Sequence, residues 1–338
     1  MPEATEELRN VPSAGGSPGP RGKRGLTSLD VLAGLLVLTL VLRQLLGGVL
    51  DDPAVQTWAT IFVSLVIQAL PFLVLGVVIS AAISVLVPSA FFARALPRRP
   101  ALAVPVAGAA GVVLPGCECG SVPIAGGLVS RGVPPAAAFA FLLSAPAINP
   151  VVLVATAVAF PGQPSVVVAR FFASLLVAVV MGWLWLRFGK GEWLRPMRRP
   201  SVSGLPRWEA FRVSARHDFV HAGGFLVVGG LTAATLNVTV PRSVLDAIGG
   251  NLAVSVLVLA ALAVVLAICS EADAFVAASL TAFPMTARLA FMVVGPAVDV
   301  KLFALQAGTF GRGFALRFAP ATFLVAVGAS VLVGSVLL

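Results

Sequence analysis

Apolar runs, most of them near 20 residues, recur along the chain and are separated by short polar turns. They fall at approximately 55–87, 101–116, 135–160, 164–187, 219–239, 251–269, 286–305 and 314–338, after a first run from Leu32 to Leu50. About 20 apolar residues at a ~1.5 Å rise cross the ~30 Å hydrocarbon core of a bilayer. The pattern therefore predicts an all-α polytopic membrane protein. The run at 55–87 is long for one span and predicts an interfacial start.

One stretch departs from simple counting. Residue 100 and Arg131 both read as cytoplasmic, with 131 − 100 = 31 positions between them. Two full helices barely fit that length. A full or partial span followed by a half-helix return fits better, turning in the Pro115-Gly116-Cys117-Glu118-Cys119-Gly120 segment.

The order of elements occurs twice. Residues 119–150 align without gaps to 269–300, an offset of 269 − 119 = 150. Cys119/Cys269, Pro134/Pro284, Phe141/Phe291 and Pro146/Pro296 coincide, and Asn149 stands opposite Asp299. Upstream, at an offset of 225 − 72 = 153, Phe72-Leu73-Val74 matches Phe225-Leu226-Val227, and Gly76 matches Gly229. Internal repeats build many transporters, with sites at interrupted helices in corresponding positions.

Charge gives the copies their orientation. Basic residues mark cytoplasmic loops. The tail with Arg21, Lys23 and Arg24, the segment with Arg94, Arg98 and Arg99, and the Arg-rich loop are then inside, while Asp51–Asp52 lies outside. The first copy starts outside and the second inside, which is the inverted-repeat arrangement. The expected organisation is a disordered basic tail at 1–27 and an extra N-terminal span at 28–51. A first permease repeat at 55–187, a cytoplasmic basic loop at 188–218 and a second repeat at 219–338 follow. The N-terminus is expected inside and the C-terminus outside, in the cytoplasmic (inner) membrane.

Composition narrows the classes. Of the 338 residues, 59% are hydrophobic and 11% charged, against roughly 25% charged in soluble domains; mean hydropathy is +1.02. Secreted soluble classes fall. The net charge of +9 resides between apolar runs, where it orients spans instead of binding nucleic acid. The partners are a lipid bilayer and a small solute. No phosphate-binding GxxxxGK[ST] loop is present, and no cofactor is expected.

Candidate chemistry clusters at the breaks. Glu118, Glu271, Asp273, Asp299 and Lys301 lie inside or beside apolar runs, where ionisable groups are costly and usually functional. Lys301 is open to pairing with Glu271 or Asp273, to snorkelling, or to a purely structural ion pair. Cys117, Cys119 and Cys269 are read as free thiols that could hold a soft metal or metalloid. Small packing residues are the other reading of these cysteines. A solute or ion path is thus expected past Cys117, Glu118, Cys119, Gly120, Pro146, Asn149, Cys269, Glu271, Asp273, Pro296, Asp299 and Lys301. His217 and His221 share a helical face at a span's start and read as an interfacial polar face or a weak metal pair.

At Cys117-Glu118-Cys119-Gly120-Ser121-Val122-Pro123, Gly132-Val133-Pro134, Phe141 to Pro150 and Cys269-Ser270-Glu271-Ala272-Asp273-Ala274-Phe275, the chain resembles a bacterial family of predicted permeases. That family includes the organoarsenical efflux permeases. With Glu118 between the cysteines and Asn149-Pro150 after the later proline, the chain is more similar to an uncharacterised branch. The resemblance covers roughly residues 55–338 and implies a transporter, not an enzyme, in the cytoplasmic membrane. Two alternatives stay open: a membrane subunit completed by a partner membrane or accessory protein, and a thiol-dependent membrane redox enzyme.

Overall fold

Proline opens five helices, at Pro53, Pro100, Pro135, Pro150 and Pro164. The first helical N–H needs no partner, and proline's fixed φ already suits the helix. The computed structural model describes residues 52–88, 91, 94, 96–113, 117–194, 204–239 and 251–338. The expected tail at 1–27 and span at 28–51 lie outside the described residues, as do Pro115 and Gly116.

Twelve α-helices and one 3-10 turn (Gly191–Trp193) are described, and no strand occurs among the described residues. In chain order the helices are α1 Pro53–Leu86, α2 Pro100–Ala110, α3 Glu118–Ser130, α4 Pro135–Ile148, α5 Pro150–Ala159 and α6 Pro164–Phe188. Then follow α7 Arg207–Thr239, α8 Leu252–Leu266, α9 Asp273–Ser279, α10 Met285–Ala297, α11 Val300–Thr309 and α12 Arg312–Leu337. Among the described residues, six stretches are long and apolar enough to cross a membrane; two of them are the pairs α4–α5 and α10–α11, each broken in the middle. The protein is a multi-pass membrane protein.

The first six helices and the last six each run as one long helix, four short ones and a second long one. The long α1 (34 residues) matches α7 (33 residues), and α6 (25 residues) matches α12 (26 residues). Between them, α2 has 11 residues and is about 16 Å long at the usual rise, half of the ~30 Å hydrocarbon core. It precedes the Cys117 break as α8 precedes the Cys269 break. Packing across the halves follows the same exchange. α1 meets α7, α4 meets α10, and α6 meets α12. α3 of the first half lies against α11 of the second, and α9 of the second lies against α5 of the first.

The long helices reach the breaks through glycine. A Cβ on Gly76 of α1 would fall 2.5 Å from the Gly120 Cα of α3, and a Cβ on Gly229 of α7 would fall 2.8 Å from the Lys301 Cα of α11. These are the two glycines aligned at the 153-residue offset. Bare backbone at both places lets a full span touch a short helix directly, as small residues do in membrane packing. An aromatic cluster closes one region of the core, with Phe139 against Trp185, Phe310 and Phe314 at centroid distances of 4.9, 5.2 and 4.7 Å.

One boundary moves. The sequence reading starts a span at 219 and leaves 188–218 as loop, whereas α7 begins at Arg207. Apolar counting finds only the membrane-embedded part of a helix. Residues 207–218 are charged, yet their Ala, Glu and Arg positions favour helix.

Candidate functional site

Each half has two interruptions, and the buried polar residues gather at them. The first comes before α3. Cys117 is extended at the N-cap, and Glu118 opens the helix. Its counterpart precedes α9. There Ala267 ends α8 at φ 50, the one non-glycine residue with positive φ among the described residues, and Asp273 opens α9. An alanine in the left-handed region is strained and persists only where its surroundings hold it. Both breaks therefore end on a carboxylate. Glu118 is 0% and Asp273 2% exposed.

Each carboxylate is paired by a cation from the other half. Lys301 Nζ of α11 donates to Glu118 Oε1 at 2.8 Å. Arg170 of α6 donates to Asp273 Oδ2 at 2.8 Å, to the Ser270 carbonyl at 3.1 Å and to Thr156 Oγ1 at 2.8 Å. Both cations are fully buried. The two ion pairs thus cross between the halves, and each ties a break to the opposite half.

The second pair of interruptions splits α4 from α5 and α10 from α11. Pro146 and Pro296 each lack the N–H that would hold the preceding turn. Asn149 then caps α5, its side chain accepting from Val152 N at 3.0 Å, and its Nδ2 donates back to the Ala145 carbonyl at 3.0 Å. Asp299 caps α11 by accepting from Leu302 N through Oδ1. Side-chain caps of this kind satisfy otherwise orphaned N–H groups at a helix start.

Lys301 pairs with Glu118, not with Glu271 or Asp273 as the sequence left open. Asp273 is taken by Arg170. Asp299 also stands 3.8 Å from Lys301 Nζ. Residues two apart do not face each other on a straight helix, but Asp299 is extended and sits outside α11.

The three thiols are buried and adjacent. All three belong to one buried core cluster. One ligand atom each from Cys117, Glu118 and Cys119 lie within 4.8 Å of one another. Lys301 is close enough to Cys119 and Cys269 to interact with them electrostatically. Several carboxylate oxygens here have no hydrogen-bond partner among the described residues: Glu118 Oε2, both oxygens of Glu271, Asp273 Oδ1 and Asp299 Oδ2. Gly120 lies in the same turn, against α1.

Sequence reasoning missed Arg170. It treated arginines as markers of loops, yet this one interrupts the apolar run 164–187. An arginine at that depth is itself a signal. His217 and His221 are not drawn in. Their rings stack at 6.0 Å, and His221 Nε2 lies 3.1 Å from the Gly308 carbonyl.

Residues 55–338 match a family described as predicted permease. The UPF0718 protein YcgR of Bacillus subtilis is 37% identical over 285 residues, covering 82% of this chain and 95% of that protein. A Streptococcus mutans protein, whose name proposes it as a subunit of a two-component membrane permease complex, is 33% identical over 283 residues. That match covers 81% of this chain and 94% of the relative. No solved structure matches the chain. These descriptions point to a transporter and not to an enzyme.

Proposed function

Because the chain belongs to the predicted permease family, we propose that it moves a small solute, metal or metalloid species included, across the cytoplasmic membrane by alternating access at the meeting point of its helix breaks. The observation that carries this reading is the crossed pairing of Glu118 with Lys301 and of Asp273 with Arg170. Buried charges are retained in membranes at a free-energy cost and mark transport paths. Pairs that bridge two repeats are placed to strain or part when one repeat moves against the other.

Inverted repeats supply the two faces of that movement, with the N-terminus inside and the C-terminus outside. In this reading the path runs past Cys117, Glu118, Cys119, Gly120, Cys269, Glu271 and Lys301. Pro146, Asn149, Pro296 and Asp299 hold the neighbouring broken spans open and capped. The test is a membrane-permeant, thiol-selective reagent applied to sealed vesicles. Cys119 and Cys269 are expected to label and to be protected by solute. Labelling of neither cysteine, in inward- or outward-facing states, removes the path from this centre.

A second reading makes the chain one subunit of a larger permease, which the name of the Streptococcus mutans relative favours. Purified chain in proteoliposomes separates the two. Flux from the chain alone supports the first reading. Flux that appears only with a co-purified partner supports the second.

A further inference from the structure

Resting on the permease reading above, we propose that the species held at this centre is a divalent transition-metal cation, gripped by Cys117, Glu118 and Cys119 at the first break, with Lys301 of the other half as its built-in competitor. The geometry comes first. The donor atoms of Cys117, Glu118 and Cys119 lie within 4.8 Å of one another, and all three side chains are fully buried. Two donors at metal bonds of about 2.0–2.3 Å stand about 3.3–3.8 Å apart in a tetrahedral site, so a cluster within 4.8 Å closes on a metal with a contraction of about 1 Å. Cys269 of the other half is buried in the same core cluster as Cys117 and Cys119. Two sulfurs and one oxygen supply three donors and leave the fourth position of a tetrahedral site open.

The second observation is an oxygen left over. Lys301 occupies Glu118 Oε1, while Glu118 Oε2 has no partner among the described residues although its side chain is 0% exposed. That oxygen is available to a cation in a place where an unsatisfied carboxylate is expensive.

Charge selects the class of ligand. Among the described residues, Glu118, Glu271, Asp273 and Asp299 gather around two basic groups, Arg170 and Lys301. The formal excess is two negative charges (four carboxylates minus two cations). An oxyanion entering there meets repulsion, whereas a cation is attracted, and each cysteine that ligates as thiolate releases its proton on binding. Sulfur donors then favour a borderline or soft ion over magnesium or calcium, which take oxygen.

Lys301 completes the device. Its ammonium is 2.8 Å from Glu118 and 3.8 Å from Asp299, whose Oδ2 is itself unpartnered. When a metal claims Glu118, Lys301 has a second carboxylate to lean towards. When the metal leaves, the lysine returns and refills the charge. With three donors from one break and the competing lysine from the other half, the site keeps an open position, unlike a closed structural zinc centre.

The test uses the purified full-length chain in lipid micelles, titrated with cobalt(II). Thiolate ligation gives a near-ultraviolet sulfur-to-cobalt charge-transfer band. We expect the band in the unaltered chain and its loss in Cys119→Ala. Weaker binding, by about 10-fold or more, is expected in Glu118→Gln, and tighter binding in Lys301→Met. His217→Ala/His221→Ala is expected to retain the band unchanged. Circular dichroism checks that each variant is folded, and the titration of the unaltered chain decides even where a variant is not. Absence of the band in the unaltered chain at saturating cobalt, or its persistence in folded Cys117→Ala/Cys119→Ala, overturns the proposal. If the band is absent while the permeant reagent still labels Cys119, the metal falls and the solute path stands. If both fail, both readings fall.

Discussion

Glu118 and Lys301, 183 positions apart in the chain, meet at 2.8 Å with neither side chain exposed. Removing one partner leaves the other charge buried and uncompensated, which destabilises by about 3–5 kcal/mol in buried pairs. Glu118→Gln and Lys301→Met are each expected to lose stability on that scale. The double variant is expected to recover much of it. A double-mutant cycle on unfolding in mixed micelles measures the coupling, and additive losses would show that the pair is not coupled.

Arg170 makes three buried bonds through its guanidinium fork. Lysine keeps the charge but not the fork. Arg170→Lys is therefore expected to lower stability by about 1–3 kcal/mol for each group left unpaired, and to depress solute flux at matched expression. Thermal unfolding in nanodiscs reads the first effect and vesicle uptake the second. A fully active, fully stable Arg170→Lys would mean that only the charge matters.

Close backbone approach at Gly76 and Gly229 leaves no room for a methyl group. Gly76→Ala and Gly229→Ala are expected to displace the α1–α3 and α7–α11 contacts, giving aggregated or poorly inserted protein. Gly224 of α7 has open space where its Cβ would go. Gly224→Ala is expected to be neutral or to stabilise by about 0.5–1 kcal/mol, since alanine is the better helix former. Size-exclusion profiles of the three variants compare them directly; matching profiles for all three would refute the packing argument.

Asp299 both caps α11 and faces Lys301. Asparagine caps about as well as aspartate, whereas alanine loses about 0.5–2 kcal/mol. Asp299→Asn is thus expected to keep stability but alter transport, and Asp299→Ala to lose both. Equal flux in Asp299→Asn and the unaltered chain would reduce Asp299 to a cap.

The breaks were legible because proline and glycine interrupt apolar runs at matching offsets. The glycine pair Gly76 and Gly229 was visible as an alignment, though not as a contact. The partner of Lys301 could not be read. Local spacing pointed at its own half, while the chain folds so that α11 lies against α3. Arg170 was hidden for a different reason: one charged residue scarcely lowers the hydropathy of a 25-residue span, and only its neighbours in space show why it is there. Orientation in the bilayer rests on loop charge alone. Reporter fusions at residue 205 and at the C-terminus are expected to place the first inside and the second outside, and a cytoplasmic C-terminus would end the inverted-repeat reading.

Asn149 and Asp299 perform the same cap with different side chains, and the difference separates the fates of the two halves. The amide can accept on one side and donate on the other, so it sutures its broken span in both directions. An ionised carboxylate only accepts. The second half thereby gives up the stitch and gains a charge beside Lys301. The break is thus capped by a neutral group in the first half and by a charged one in the second. Exchanging the two residues would move that charge to the first half.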